Sequence, residues 1–307
     1  MKRVILIACM GLLVIASCKD KKKDQNNAAT SSLSKDSVKM AEEIHKELYG
    51  NWVGDFVIDD DVFAQISGDE ELLRSLDNLP KINLTIKRIT ADTVLGQNIV
   101  RGNMRPVIGK IEDNGGNISF ILDEPGDKKS DGRFEFKVKG DTLIGSWRAF
   151  DTSVKVKKRN FKLLKKQFAY NPNLMLPDEM ELVDWRNSKE EQITEQDGDT
   201  TYSYVTTLYR AASPVVYKIN ASKEKLTEAK LKNLKKLDLE IIRNTIFARH
   251  GYAFTKVGVR QFFDPVEWYV PISNDVSAQL STLEKDNIKL LKKFEKYAED
   301  NYDSFGR

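Results

Sequence analysis

Two periods of hydrophobic and polar positions run along the chain, and they change near residue 222. Residues 40–48 have apolar positions at helical spacing and predict a short amphipathic helix, with His45 on a solvated face among Glu42, Glu43 and Glu47. At Tyr49 the period drops to two. Ile82, Leu84 and Ile86 alternate with Asn83, Thr85 and Lys87, and the pattern returns in Ile118-Phe120-Leu122, Phe134-Phe136-Val138 and Leu143-Gly145-Trp147-Ala149. Successive strand side chains point to opposite faces, so these runs are antiparallel strands with one buried face. Turn formers separate them: Ala91-Asp92, Gly102-Asn103, Asn114-Gly115-Gly116, Asp131-Gly132 and Gly140-Asp141. Between Trp52 and Lys165 this reading gives about eight strands, with a helical insertion over 61–79 after the first. Eight up-and-down strands predict a closed barrel, because closure removes unpaired edges. Its inward candidates, Phe120, Phe134, Phe136 and Trp147, are bulky, so an interior filled by side chains is expected ahead of a ligand cup.

Residues 171–221 read as a connector. It holds Pro172, Pro177 and an acidic, Gln-rich run over 190–199, then two Tyr/Val/Thr-rich stretches, 200–210 and 214–219, that suit a β-hairpin. From Leu226 the period is helical. Thr227 suits an N-cap, flanked by Leu226 and Leu231 as a hydrophobic staple. A longer helix then runs to His250 on an apolar face of Leu237, Leu239, Ile241, Ile242, Ile246 and Ala248, and Gly251 stands where a left-handed cap is wanted. Ser281 and Glu284 form a capping box for a last helix. Its stripe of Leu283, Ile288, Leu291, Phe294 and Tyr297 is expected to pack on the long helix, with Lys289, Lys292 and Lys293 solvated. The fold class expected is α+β in two domains, a barrel over 38–170 and a mainly helical domain over 222–307.

The N-terminus reads as an address. Lys2 and Arg3 precede an apolar run over 4–15, short of the ~20 residues that span a bilayer but suited to a secretory leader. Ile15-Ala16-Ser17-Cys18 resembles the lipobox of bacterial lipoproteins. The resemblance implies removal of residues 1–17, acylation of Cys18 by chains such as palmitate, and anchoring in a membrane. Residues 18–37 are charged, then rich in Asn, Ala, Ser and Thr, and read as a disordered tether. Lys19-Asp20 resembles the surface-export signal of Bacteroidetes lipoproteins, although Lys21 to Lys23 are basic where that signal is acidic. Attachment to the outer membrane, facing the periplasm or the exterior, is the expected location. Cys9 would leave with the leader, so the mature chain would have no free thiol and no disulfide.

Two further resemblances cover most of the rest. Gly50-Asn51-Trp52 opens the first strand with the Gly-x-Trp of lipocalin-like domains, and Gly145-Ser146-Trp147 repeats the spacing near the other end. Over roughly 48–168 this implies a barrel whose Trp plugs the closed end, and a possible carrier of a small hydrophobic ligand. The string from Arg243 through Asn244, Phe247, Ala248, Arg249, His250 and Gly251 to Phe254, followed by Phe262-Phe263 and Trp268-Tyr269, resembles the YARHG domain over roughly 222–300. Phe247 replaces the leading Tyr of the signature and keeps its ring without the hydroxyl. The resemblance implies a cell-envelope setting, with no established reaction or ligand.

Arg243, Phe247 and His250, four and three apart, share one stripe of the helix, with Glu240 in reach of Arg243 and Asn244. Two uses are open. In one, Arg243, Asn244, Arg249 and His250 hold the following loop through its carbonyls, and the aromatics are core. In the other, Arg249, His250, Trp268 and Tyr269, with Arg243, line a groove for an anionic or sugar-bearing envelope ligand. Asn244, Phe247, Gly251, Gly50, Trp52, Gly145 and Trp147 read as structural.

Composition narrows the chemistry. The 307 residues carry 49 Lys+Arg against 46 Asp+Glu, a near-neutral balance that argues against nucleic acid as a partner. Two Cys and two His exclude a disulfide scaffold and a multi-His metal cage. No Gly-rich phosphate loop and no His-Glu-x-x-His helix is present, and no cofactor is expected. A Ser-His-Asp set would have to use His250 without any sign of an activated Ser, while a pair of carboxylates leaves glycosidase chemistry open. The expectation is a membrane-anchored envelope lipoprotein that binds or scaffolds without catalysis, its partners the membrane, through Cys18, and peptidoglycan or another envelope glycan or protein. A carrier of a small hydrophobic ligand is the alternative, and an envelope hydrolase the lower one.

Overall fold

The computed structural model describes residues 41–69, 72–73 and 79–301. The leader, Cys18 and the tether lie outside the described residues, as does part of the 61–79 insertion, of which helix α1 (Asp60–Ile66) is described. Eight strands follow in chain order: β1 (Gly50–Ile58), β2 (Lys81–Ile89), β3 (Val94–Val100), β4 (Asn103–Asn114), β5 (Asn117–Asp123), β6 (Gly132–Lys139), β7 (Thr142–Ala149) and β8 (Lys158–Lys166). Each pairs antiparallel with the next, and β1 pairs with β8, so the sheet is a closed barrel.

Its interior is filled. Phe120 stacks on Phe136 at 4.9 Å, Phe136 meets Phe161 edge-on at 5.9 Å, and Phe56 bridges Phe134 at 6.2 Å and Trp147 at 5.8 Å. All six rings are buried, together with Leu84, Leu122 and Leu163. Gly145 is fixed by close approach: a Cβ there would lie 2.1 Å from the Glu135 carbonyl oxygen across the β6–β7 pair. Trp52 closes one end by donating from Nε1 to the Leu48 carbonyl at 2.9 Å. Trp147 sits toward the opposite end and donates to buried Glu124 at 3.0 Å.

The helix expected over 40–48 is reduced to a 3-10 turn at Lys46–Leu48. His45 takes a left-handed backbone, φ +49°, which a helix cannot continue through. The residues before it instead run along β2, with Ile44 N–H donating to the Ile89 carbonyl.

The connector differs from its expectation in two places. Most of the acidic run lies within strand β9 (Val183–Asp197), which pairs antiparallel with β10 (Thr200–Ala211) as a separate two-stranded ribbon. Alternation with Tyr, Val and Thr across the pair outweighs the low strand propensity of Glu and Gln. The stretch at 214–219 is no strand: Pro214–Tyr217 forms a 3-10 helix, begun by the fixed φ of Pro214.

The helical domain holds α2 (Glu228–Leu231), α3 (Lys236–Arg249), α4 (Val257–Phe263) and α5 (Thr282–Asn301). Thr227 caps α2 by accepting from Lys230 N–H. Ser281 and Glu284 cap α5 reciprocally, at 2.9 and 3.2 Å. Helices α3 and α5 pack on each other over Ile241, Ile242, Ile288 and Leu291. Tyr297 departs from the expected stripe and is half exposed.

The domain is seated on the outer face of the barrel. Lys81 Nζ donates to the carbonyls of Val266 at 2.6 Å and Tyr269 at 3.1 Å, and Asn83 Nδ2 donates to that of Pro271 at 2.8 Å. Both residues point outward from β2, yet both are buried under the second domain. Burial lowers the Lys81 ammonium pKa to about 8, with Asp264 opposing the shift. The architecture is therefore α+β: a barrel carrying a mainly helical domain.

Candidate functional site

Helix α3 organises the second domain. Asp238, in its first turn, accepts from Lys235 N–H at 3.0 Å and from Ser213 N–H at 2.6 Å, tying the end of the ribbon to the helix start. At the other end the chain reverses at Gly251, φ +72°. A Cβ there would meet Ile272 Cγ1 at 2.5 Å, so only glycine suits both the turn and the packing.

The two residues before Gly251 form a clasp. Arg249 is buried; its Nε donates to the Leu174 carbonyl at 2.7 Å and one terminal nitrogen to Ser222 Oγ at 3.0 Å. Burial lowers its pKa to about 10, although the charges of Tyr170 and Glu284 oppose the change. His250 lies flat on Tyr170, ring centres 4.2 Å apart, and its Nε2 stands 3.0 Å from a Glu284 carboxylate oxygen. Tyr170 donates to the same carboxylate at 3.0 Å. Burial alone would raise the Glu284 pKa, but His250, the Ser281 N–H and Ser222 outweigh it and hold the carboxyl at about 2. The Tyr170 phenol is pushed up to about 12 by burial and by Glu284.

The other predicted residues are also engaged with the chain itself. Trp268 Nε1 donates to the Met175 carbonyl at 2.8 Å. Tyr269 is buried, which raises its pKa, and donates to the Tyr252 carbonyl at 2.7 Å. Arg243 grips Glu295 of α5 with two nitrogens, at 2.5 and 3.0 Å, and donates to Asn244 Oδ1 at 3.0 Å. It thus pairs with Glu295 rather than with Glu240. The carbonyls taken by Arg249 and Trp268 belong to residues 174–175, upstream of the domain, and not to the loop after the helix. Arg249, His250 and Tyr269 have almost no surface to offer a ligand.

The open part of the site lies on the neighbouring face of α3. Glu240, Arg243, Asn244 and Phe247, at i, i+3, i+4 and i+7, line one side of a groove of about 620 Å³. Tyr252, Phe254 and Phe262 supply an aromatic wall, and Lys256 and Asp275 stand on the rim. Glu240 makes no hydrogen bond among the described residues, and burial raises its carboxyl pKa, with Arg210 the main opposing charge. An amide and a carboxylate beside rings are the means by which proteins hold polar ligands that carry an apolar face. Of the residues lining this groove, only Arg243 was predicted to do so: in the sequence Asn244 and Phe247 read as structural and Glu240 as a partner in reach of Arg243, although 240, 244 and 247 fall at helical spacing. Among the described residues no group of three or more His, Cys, Asp or Glu is placed to hold a metal ion.

A closed eight-stranded antiparallel barrel joined to a helical domain with an Arg–His clasp fits a non-enzymatic binding module. Residues 214–296 match the YARHG domain family. No curated protein and no solved structure matches the chain.

Proposed function

We propose that this protein is a lipid-anchored envelope lipoprotein, tethered through Cys18 to the outer membrane, whose YARHG domain recognises an envelope glycan or its attached peptide. The observation that carries the reading is the groove along Glu240, Asn244 and Phe247, the open concave surface beside the signature residues. In this reading Arg249, His250, Trp268 and Tyr269 shape the groove from behind, while Arg243, Asn244, Glu240 and Tyr252 meet the ligand.

The test is retention of the protein on peptidoglycan sacculi and on outer-membrane extracts. A Glu240→Gln, Lys256→Ala variant keeps the clasp and the core intact, and its retention is expected to fall severalfold. Retention equal to wild type on both materials would remove the groove from the account.

Carriage of a hydrophobic ligand is the weaker reading, because six rings occupy most of the barrel interior. The space left at the Trp147 end is a pocket of about 380 Å³ in which Phe56, Phe134 and Trp147 share the lining with Arg105, Glu124 and Asp131.

A further inference from the structure

We propose that β10 is the seam of a homodimer, pairing antiparallel with β10 of a second copy to make a four-stranded sheet in the order β9, β10, β10, β9. Three observations lead there. The ribbon stands apart from both domains along most of its length: among the described residues β9 and β10 pair only with each other, and nearly every residue from Arg186 to Tyr209 is exposed or half exposed. At 15 residues β9 is about 50 Å long, and an isolated two-stranded ribbon of any length is marginal in water. Large side chains are left bare on it, namely Trp185, Tyr202, Tyr204, Val205 and Tyr209, with Val205 63% exposed.

The charge layout selects the occupant. Strand β9 carries Arg186, Lys189, Glu190, Glu191, Glu195 and Asp197, the kind of charge that keeps an edge from pairing. Strand β10 carries none from residue 200 to residue 209: the run is Thr, Tyr, Ser, Val and Leu, without Pro, and among the described residues its second edge is unpaired. The ribbon's one register shift, a device that also blunts edges, lies between Tyr209 and Arg210 at the root, outside that run. Joining β10 to β10 puts uncharged strands in the middle and the two acidic strands at the far edges, where they do not face each other. Thr, Tyr and Val are strand formers that pair well with themselves, and a two-fold axis makes one patch serve both sides. Four strands that carry Tyr202, Tyr204, Val205 and Leu208 on their faces also pass the two-strand size at which a ribbon is marginal on its own.

The test is cysteine cross-linking of the full chain. Positions 202 to 207 are changed to Cys one at a time, with Glu191→Cys on β9 as control and wild type as the baseline for Cys9 and Cys18. Mild oxidation is expected to give a band at twice the chain mass, strongest at one β10 position and falling away on both sides. Only residues beside the two-fold axis meet their own copies closely enough for a disulfide. Val205→Lys should weaken self-association measured by sedimentation at least about tenfold, equivalent to ~1.4 kcal/mol, with an unchanged circular dichroism spectrum. A profile at baseline across β10, cross-linking equal on β9, cross-links to a protein of another mass, or a Val205→Lys variant that associates like wild type would each overturn the proposal.

Discussion

At the residue scale the decisive group is Glu284. It is fully buried, takes hydrogen bonds from His250, Tyr170 and the N–H of Ser281, and titrates at about 2 instead of 4.5. A carboxylate whose folded pKa is depressed adds stability that is complete above its unfolded pKa and is lost as the pH falls through the folded one. The helical domain is therefore expected to weaken between about pH 4.5 and pH 2, by up to ~3 kcal/mol from this group. Chemical denaturation of wild type and Glu284→Gln across that range checks it: the variant should be less stable at neutral pH and flatter toward acid, and parallel curves would contradict the assignment. The same residue shows where sequence reading stopped. Its capping role was legible from Ser281 three positions earlier. Its pairing with His250, 34 residues away, left no mark in spacing, because a long-range partner is set by how α3 and α5 pack.

At the element scale the strands were the most legible part. Period-two alternation and turn residues located them because one face of each is buried, and burial is what writes that period into a sequence. The interior of the barrel follows from the same pattern. Phe136 touches both Phe120 and Phe161, so Phe136→Ala should cost about 3–5 kcal/mol, read as a lowered denaturation midpoint. A loss below 1 kcal/mol would mean that the neighbouring rings close over the gap. The ribbon was read less well. An acidic stretch gives no alternation of buried and exposed positions when both faces meet water, so β9 looked like a linker. The 40–48 helix failed for the converse reason: its apolar residues Ile44 and Leu48 pack against the barrel core, and His45 breaks the turn.

At the scale of the whole molecule, the union of barrel and helical domain was not legible at all. Lys81 and Asn83 alternate with Ile82 and Leu84 as outward polar positions do, and nothing nearby announces that a second domain will cover them. Lys81 gives that contact a pH signature. Burial depresses its pKa to about 8, so between about pH 8 and the ordinary lysine value of 10.5 the unfolded chain binds a proton that the folded chain does not. Stability contributed by this group must then rise with pH across that window. Wild type should gain stability there relative to Lys81→Met, which lacks the titration; an identical pH dependence in the two proteins would show that Lys81 is solvated.

The clasp also sets an order of assembly. Tyr170 emerges from the ribosome well before His250, and Glu284 later still, so the three-way contact waits until the final helix has been made. A truncated product ending ahead of residue 284 would keep a finished barrel but leave the imidazole and the phenol without the carboxylate they share. Quality-control proteases would meet such a fragment as a folded bead with a loose tail, which ties survival of the protein to completion of the helix that carries Glu284.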